Sequence, residues 1–158
     1  MNQKGFSLIE LVVVIVLLGV LAVTAAPKFL NLQDDAEIAV LDGFKGGLEA
    51  SLGIVKGKHI IEGEPKELVL DDNTSISFFR GNTITEYPTA LNEGDCAKLW
   101  NAIIDGSRAS EDESLNTELV ATYESSDDPE VGGTCRFTYR NAGSVDYVSG
   151  KGTVTVTY

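Results

Sequence analysis

A long apolar run near the N-terminus constrains this chain more than any other feature. Residues Phe6–Ala26 contain no basic residue and a single acid, Glu10. As a helix, these 21 residues would span roughly 32 Å, which matches a hydrocarbon core of about 30 Å. The run therefore predicts a membrane-spanning helix. The short polar leader before it carries one basic residue, Lys4, which predicts a cytoplasmic N-terminus and a body on the far side of the membrane.

Two ordinary interpretations of the apolar run compete. A secretory signal peptide cut near Ala26 would leave a secreted soluble binding domain, and the small residues there fit such a cut. The run is long for a signal peptide, however, and it carries a carboxylate near its start. A plain membrane anchor explains the length and the orientation but gives Glu10 no role.

Glu10 is the most informative residue of the run. A carboxylate inside an apolar span is costly unless a partner balances it, so it indicates function. Cleavage after Gly5 would create a positively charged amine at Phe6, four residues before Glu10. That amine could neutralise Glu10 within one helix. It could also meet Glu10 of a staggered neighbouring chain and so favour one register.

The string KGFSLIE, from Lys4 to Glu10, followed by the apolar run, resembles the prepilin motif of type IV pilins. In that family a dedicated inner-membrane peptidase cuts after the glycine and methylates the new N-terminal residue. The resemblance implies that Gly5 ends the leader and that Phe6 is the methylated first residue of the mature chain. It also implies that Glu10 is the glutamate needed for assembly. Ser7 stands where threonine is more usual.

A second stretch of sequence narrows the resemblance to one type of pilin. Residues Thr24–Ala36 are similar to type IVa major pilins of the mannose-sensitive haemagglutinin (MSHA) type, and Tyr87–Thr89 with the cysteine pair gives a looser match. This implies a homopolymer that starts in the inner membrane and ends as an extracellular pilus. Its implied partners are the peptidase and N-methyltransferase, an inner-membrane assembly platform and, for adhesion, surface glycans. A type II secretion pseudopilin shares the N-terminal motif and is the alternative.

The helical pattern continues beyond the run. Apolar residues at three- and four-residue steps predict an amphipathic half-helix over residues 27–57 that packs on the body. These residues are Leu41, Phe44, Leu48, Leu52 and Val55. Pro27 lacks a backbone donor and is expected to kink the helix. By resemblance to pili that stretch, the segment from Gly19 to Pro27 is expected to unwind in the fibre. The alternative is that the helix glycines permit close packing against neighbours.

The remaining residues, 58–158, predict a globular head, so the fold class is α+β: a long N-terminal helix packed on an antiparallel sheet. Residues 57–66 are predicted as a loop. A short helix with one apolar face is expected between Cys96 and Ile103, with Asp95 as its cap. The strand-like runs are Glu67–Leu70, Ser75–Phe79, Leu119–Tyr123, Arg136–Tyr139 and Thr153–Tyr158. The chain thus divides into a leader (1–5), an apolar half-helix (6–26), an amphipathic half-helix (27–57) and the head.

The chain has two cysteines, Cys96 and Cys135, too few for a thiolate zinc site. If the head lies outside the cytoplasm, a disulfide is favoured, and two inert buried thiols are the alternative. By resemblance to type IV pilins, such a bond would bound the variable region of the head.

Charge and motifs argue against several functions. The net charge of −12 without a Lys/Arg cluster does not favour a nucleic-acid partner. No Gly-rich phosphate loop and no Ser/His/Asp set occurs, so no enzyme, catalytic residue or cofactor is predicted. His59 is interpreted as a surface loop residue. The acid pairs Asp71/Asp72 and Asp127/Asp128 could bind calcium, but turn formation explains them more simply, and no metal site is predicted.

Overall fold

The chain has an α+β fold in which a long N-terminal helix precedes two β-sheets. The computed structural model describes residues 5–113, 115, 117–126 and 132–158. These residues form two compact units, one ending at Glu37 and the other running from Ile38 to Tyr158. The helices are α1 (Leu8–Ile61) and α2 (Glu93–Ile103), and the strands are β1 (Glu67–Val69), β2 (Ser75–Arg80), β3 (Thr83–Thr89), β4 (Ala109–Ser110), β5 (Leu119–Glu124), β6 (Thr134–Tyr139), β7 (Gly143–Val148) and β8 (Thr153–Thr157).

The C-terminal part of α1 supplies one wall of the hydrophobic core. Leu41, Leu48 and Leu52 are at most 1% exposed, as the helical spacing predicts. Phe44 makes edge-to-face contacts with the rings of Trp100 and Tyr139, each at a centroid distance of 5.6 Å. Removal of these side chains from water supplies most of the cohesion of this unit.

The end of α1 corrects the sequence prediction, because the expected loop at 57–66 begins only after Ile61. His59 lies in the last turn of the helix, 2% exposed, where its ring stacks on Phe78 at 3.7 Å between centroids. The chain then reverses at Gly63, whose φ of 84° suits a residue without a Cβ. The packing of His59, which the sequence pattern did not reveal, therefore extends the helix.

The first sheet has the strand order β1-β2-β3, all antiparallel. The predicted strand-like runs Glu67–Leu70 and Ser75–Phe79 are confirmed as β1 and β2, which pair as an antiparallel hairpin. In its turn, the Asp72 carboxylate accepts hydrogen bonds from the backbone N–H and the hydroxyl of Thr74, at 2.9 and 2.8 Å. These bonds lower the pKa of Asp72. Strand β3 was not predicted, because its polar residues and Pro88 obscure the strand pattern.

The second sheet has the order β4-β5-β6-β7-β8, antiparallel except for the parallel pair β4-β5. Strands β5, β6 and β8 match the prediction, and Val154 of β8 is buried on one face. Strands β4 and β7 were not predicted. Strand β7 carries Asp146 in its centre, and its cross-strand partner Arg136 binds that carboxylate at 3.0 Å. A buried acid in a central strand is tolerated only with such a partner, which lies ten residues away in sequence.

Helix α2 confirms the predicted short helix but not its cap. Asn92 is the N-cap, and its side chain accepts the backbone N–H of Asp95 at 2.8 Å. Asp95 instead accepts the N–H of Leu91 at 3.1 Å. The cap therefore lies three residues earlier than predicted, and Asp95 supports it from the first turn.

Hydrogen bonds join the two sheets at the stretch Tyr87–Thr89. The hydroxyl of Tyr147 donates to the carbonyl of Pro88 at 2.7 Å, and the backbone N–H of Gly150 donates to the same carbonyl at 2.8 Å. Burial raises the pKa of Tyr147. These bonds hold the first sheet against the second within the head.

Candidate processing and assembly site

The first residues of α1 form a reciprocal cap. The carboxylate of Glu10 accepts the backbone N–H of Ser7 at 2.9 Å, and the hydroxyl of Ser7 lies 3.4 Å from the N–H of Ile9. Ser7 is therefore the N-cap of α1, and Glu10, three residues later, completes a variant of the capping box in which the serine hydroxyl faces the N–H of Ile9 rather than that of Glu10. This role was not predicted, although a serine followed three residues later by glutamate before an apolar run is its sequence signal.

The Gly5–Phe6 junction lies outside the helix. Residues 5–7 have no helical or strand assignment, and α1 begins at Leu8. Phe6 is 84% exposed, and among the described residues no atom beyond the immediate chain neighbours lies within 4 Å of the position that a Cβ on Gly5 would take. The junction is open to a large partner. Lys4 and the rest of the leader lie outside the described residues.

The structure describes the uncut chain, so the predicted amine at Phe6 is here a peptide nitrogen. The pairing of that amine with Glu10, within one helix or between chains, remains a prediction. What the structure adds is that Glu10 has a hydrogen-bond donor, Ser7, before any cut occurs. A carboxylate has about four acceptor positions, so this bond leaves room for an amine.

The apolar run is exposed along its length. The large apolar side chains between Phe6 and Val23 are 42–84% exposed. By length and composition, α1 includes a segment apolar enough to cross a membrane. An exposed apolar surface this long marks contact with lipid or with other protein, because soluble monomers rarely leave such patches in water.

The segment from Gly19 to Pro27 is helical throughout. Apart from the backbone of the same helix, no atom of the described residues lies within 4 Å of the position that a Cβ on Gly19 would take. The hydroxyl of Thr24 donates to the carbonyl of Leu21 at 2.9 Å. The expected kink at Pro27 and the unwinding of this segment in a fibre remain predictions.

Cys96 of α2 and Cys135 of β6 form a disulfide, with their Cα atoms 5.6 Å apart. Both residues are fully buried. The bond ties the short helix to a central strand of the second sheet, in the same core as the rings of Trp100 and Phe137, which are tilted by 44° with centroids 4.6 Å apart. The disulfide interpretation of the cysteine pair is thus confirmed, and the alternative of two free thiols is wrong.

The remaining candidate sites have structural explanations. The surface-loop interpretation of His59 is wrong: the ring is buried, and its Nε2 lies 2.9 Å from the carbonyl oxygen of Pro65. No group of three or more His, Cys, Asp or Glu side chains suited to a metal occurs among the described residues. Asp127 and Asp128 fall outside them. Trp100 and Tyr147 are buried in the core, so they are not available to contact the surface glycans expected for adhesion.

Comparison with known proteins points to the same N-terminal segment. A family model described as the prokaryotic N-terminal methylation motif matches residues 1–26. The chain carries this motif.

The chain is also similar to two curated proteins. It is 41% identical over 54 residues to the type IV narrow pilus major component PilA5 of Thermus thermophilus, covering 34% of this chain and 47% of that protein. It is 39% identical over 55 residues to the type II secretion system core protein G of Pseudomonas aeruginosa, covering 35% of this chain and 39% of that protein. The chain thus spans less than half the length of each. No solved structure matches the chain.

Proposed function

We propose that this chain is the precursor of a structural fibre subunit of the type IV pilin class. It would be cut after Gly5, methylated on Phe6 and polymerised into an extracellular pilus. The observation that carries the proposal is the start of α1. An exposed Gly5–Phe6 junction stands directly before a capped, apolar helix whose first turn holds a carboxylate.

The exposed apolar surface supplies the driving force for assembly. A monomer in the inner membrane would keep this surface in lipid, and a fibre would keep it against the same surface of neighbouring subunits. Complete burial of one large aliphatic side chain is worth about 1.5–3 kcal/mol relative to water. Many such side chains lie between Phe6 and Val23, so a subunit leaving the membrane needs a packed fibre core to receive it.

The charged groups at the start of α1 would set the register. After cleavage, the amine of Phe6 and the carboxylate of Glu10 have opposite charges in apolar surroundings, where an unpaired charge is strongly unfavourable. An incoming subunit would place its amine at Glu10 of a neighbour, because other registers leave both charges unpaired. The head would face water, which suits a chain whose net charge is −12.

A finer proposal concerns the kind of fibre. The stretch Thr24–Ala36 supports an MSHA-like pilus that attaches cells to surfaces, with surface glycans as the partner. The alternative is a pseudopilin, and the similarity to the secretion system core protein G favours it specifically. The disulfide between Cys96 and Cys135 supports the pilus, because it stabilises a head that would stand exposed outside the cell.

Electron microscopy of cells that express the chain tests the proposal. We expect long surface filaments that bind antibodies raised against the head. Cells without the prepilin peptidase, which are the control, should carry none. A pseudopilin at native expression would leave the surface bare although the leader is removed. Secretion of a soluble head with its N-terminus near Ala26 would contradict both assignments.

A further inference from the structure

The cap at Ser7 decides whether the bond between Gly5 and Phe6 lies outside the helix. We propose that Ser7 is a positioning residue for leader removal, because its cap starts α1 at Leu8 and keeps the scissile carbonyl of Gly5 out of the helix. This inference rests on the proposed function, since it requires the chain to be the substrate of a prepilin peptidase.

The geometry places Ser7 in competition with the scissile carbonyl for one donor. In a helix that began upstream, the N–H of Ile9 would bond to the carbonyl four residues before it, which is that of Gly5. In the structure the same N–H lies 3.4 Å from the Ser7 hydroxyl instead. Glu10 reinforces the arrangement by accepting the Ser7 N–H at 2.9 Å.

Loss of the Ser7 cap would move the helix start to the cleavage site. Glycine is an acceptable N-cap, similar to threonine and far better than alanine. If Ser7 no longer capped, Gly5 would be a suitable N-cap a short distance upstream. An N-cap residue already accepts the first intrahelical bond with its carbonyl, so the scissile carbonyl would be engaged.

The test measures leader removal from the full-length precursor, in detergent, by purified prepilin peptidase. Ser7→Ala removes the cap, whereas Ser7→Asn keeps a capping side chain without a hydroxyl. We expect Ser7→Ala to raise KM about fivefold with kcat unchanged, because a smaller fraction of the substrate is in the competent conformation. Ser7→Asn should be cut like the wild type.

The outcomes separate this inference from the proposed function. Equal cleavage of Ser7→Ala and wild type would overturn the positioning role while leaving the pilin assignment intact. Slow cleavage of both variants would also overturn it, because the peptidase would then contact the hydroxyl itself. Failure of the wild type to be cut after Gly5 would contradict the proposed function. Backbone chemical shifts of residues 5–7 in micelles supply a second readout: only Ser7→Ala should move toward helical values.

Discussion

A chain carrying Glu10→Gln is expected to lose its leader normally and to remain in the membrane without forming filaments. Glutamine can still accept the N–H of Ser7, so the capping box survives and the Gly5–Phe6 junction stays open. The negative charge is lost, however, and the amine of an incoming subunit has no partner. Removing one partner of a buried ion pair costs about 3–5 kcal/mol, which is a loss of roughly a hundredfold or more in association.

Immunoblots of membrane fractions measure leader removal in this experiment, and counts of filaments sheared from cells measure assembly. Glu49→Gln is the matched control, because Glu49 lies in the same helix in an exposed ion pair with Lys45 that is worth little. That variant should assemble fully. Normal filaments from Glu10→Gln would show that Glu10 acts through its hydrogen bond and not through its charge.

Replacement of both cysteines, as Cys96→Ala/Cys135→Ala, is expected to lower the free energy of unfolding by about 4 kcal/mol. The sequence separation of the two residues is 39, and closing a loop of that size removes chain entropy from the unfolded state. Fluorescence of Trp100 during urea unfolding measures the change, because Trp100 is the single tryptophan and is fully buried beside the bond.

Wild-type chain unfolded in strong reductant is the control for the cysteine replacement. It loses the bond but keeps both sulfur atoms, so it should unfold close to the double variant. An unchanged free energy of unfolding in the variant would mean that the bond adds nothing to the head.

The apolar N-terminal helix and the motif at its start were predictable from sequence, because their signals are local. Apolar length, the lone carboxylate and the Gly5–Phe6 junction are read from adjacent residues. The apolar spacing from Leu41 to Val55 likewise predicted the buried face of α1, since one helical period relates those positions. The signal for the capping role of Ser7 is equally local, since it is a serine followed three residues later by glutamate. The prediction for Glu10 rested on its charge and not on its oxygen atoms as hydrogen-bond acceptors.

The parts of the head that were not predicted depend on residues distant in sequence. In the sequence, His59 is a polar residue beside glycine and lysine, which gives no sign of burial. Its ring is buried because it stacks on Phe78 of β2. In the sequence, Asp146 interrupts the apolar pattern expected of strand β7. The strand forms because Arg136 lies opposite Asp146 on β6 and binds its carboxylate. Strand β4 has two residues and pairs in parallel with β5, a partner that no local pattern specifies. Tertiary contacts decide such elements.

Mass spectrometry of the N-terminus of the protein recovered from cells tests the central claim most directly. We predict a mature chain that begins at Phe6 and carries one methyl group on its amine, so that the charge facing Glu10 exists in the working form. A working form that retains Met1 to Gly5, or that begins near Ala26, would contradict the account.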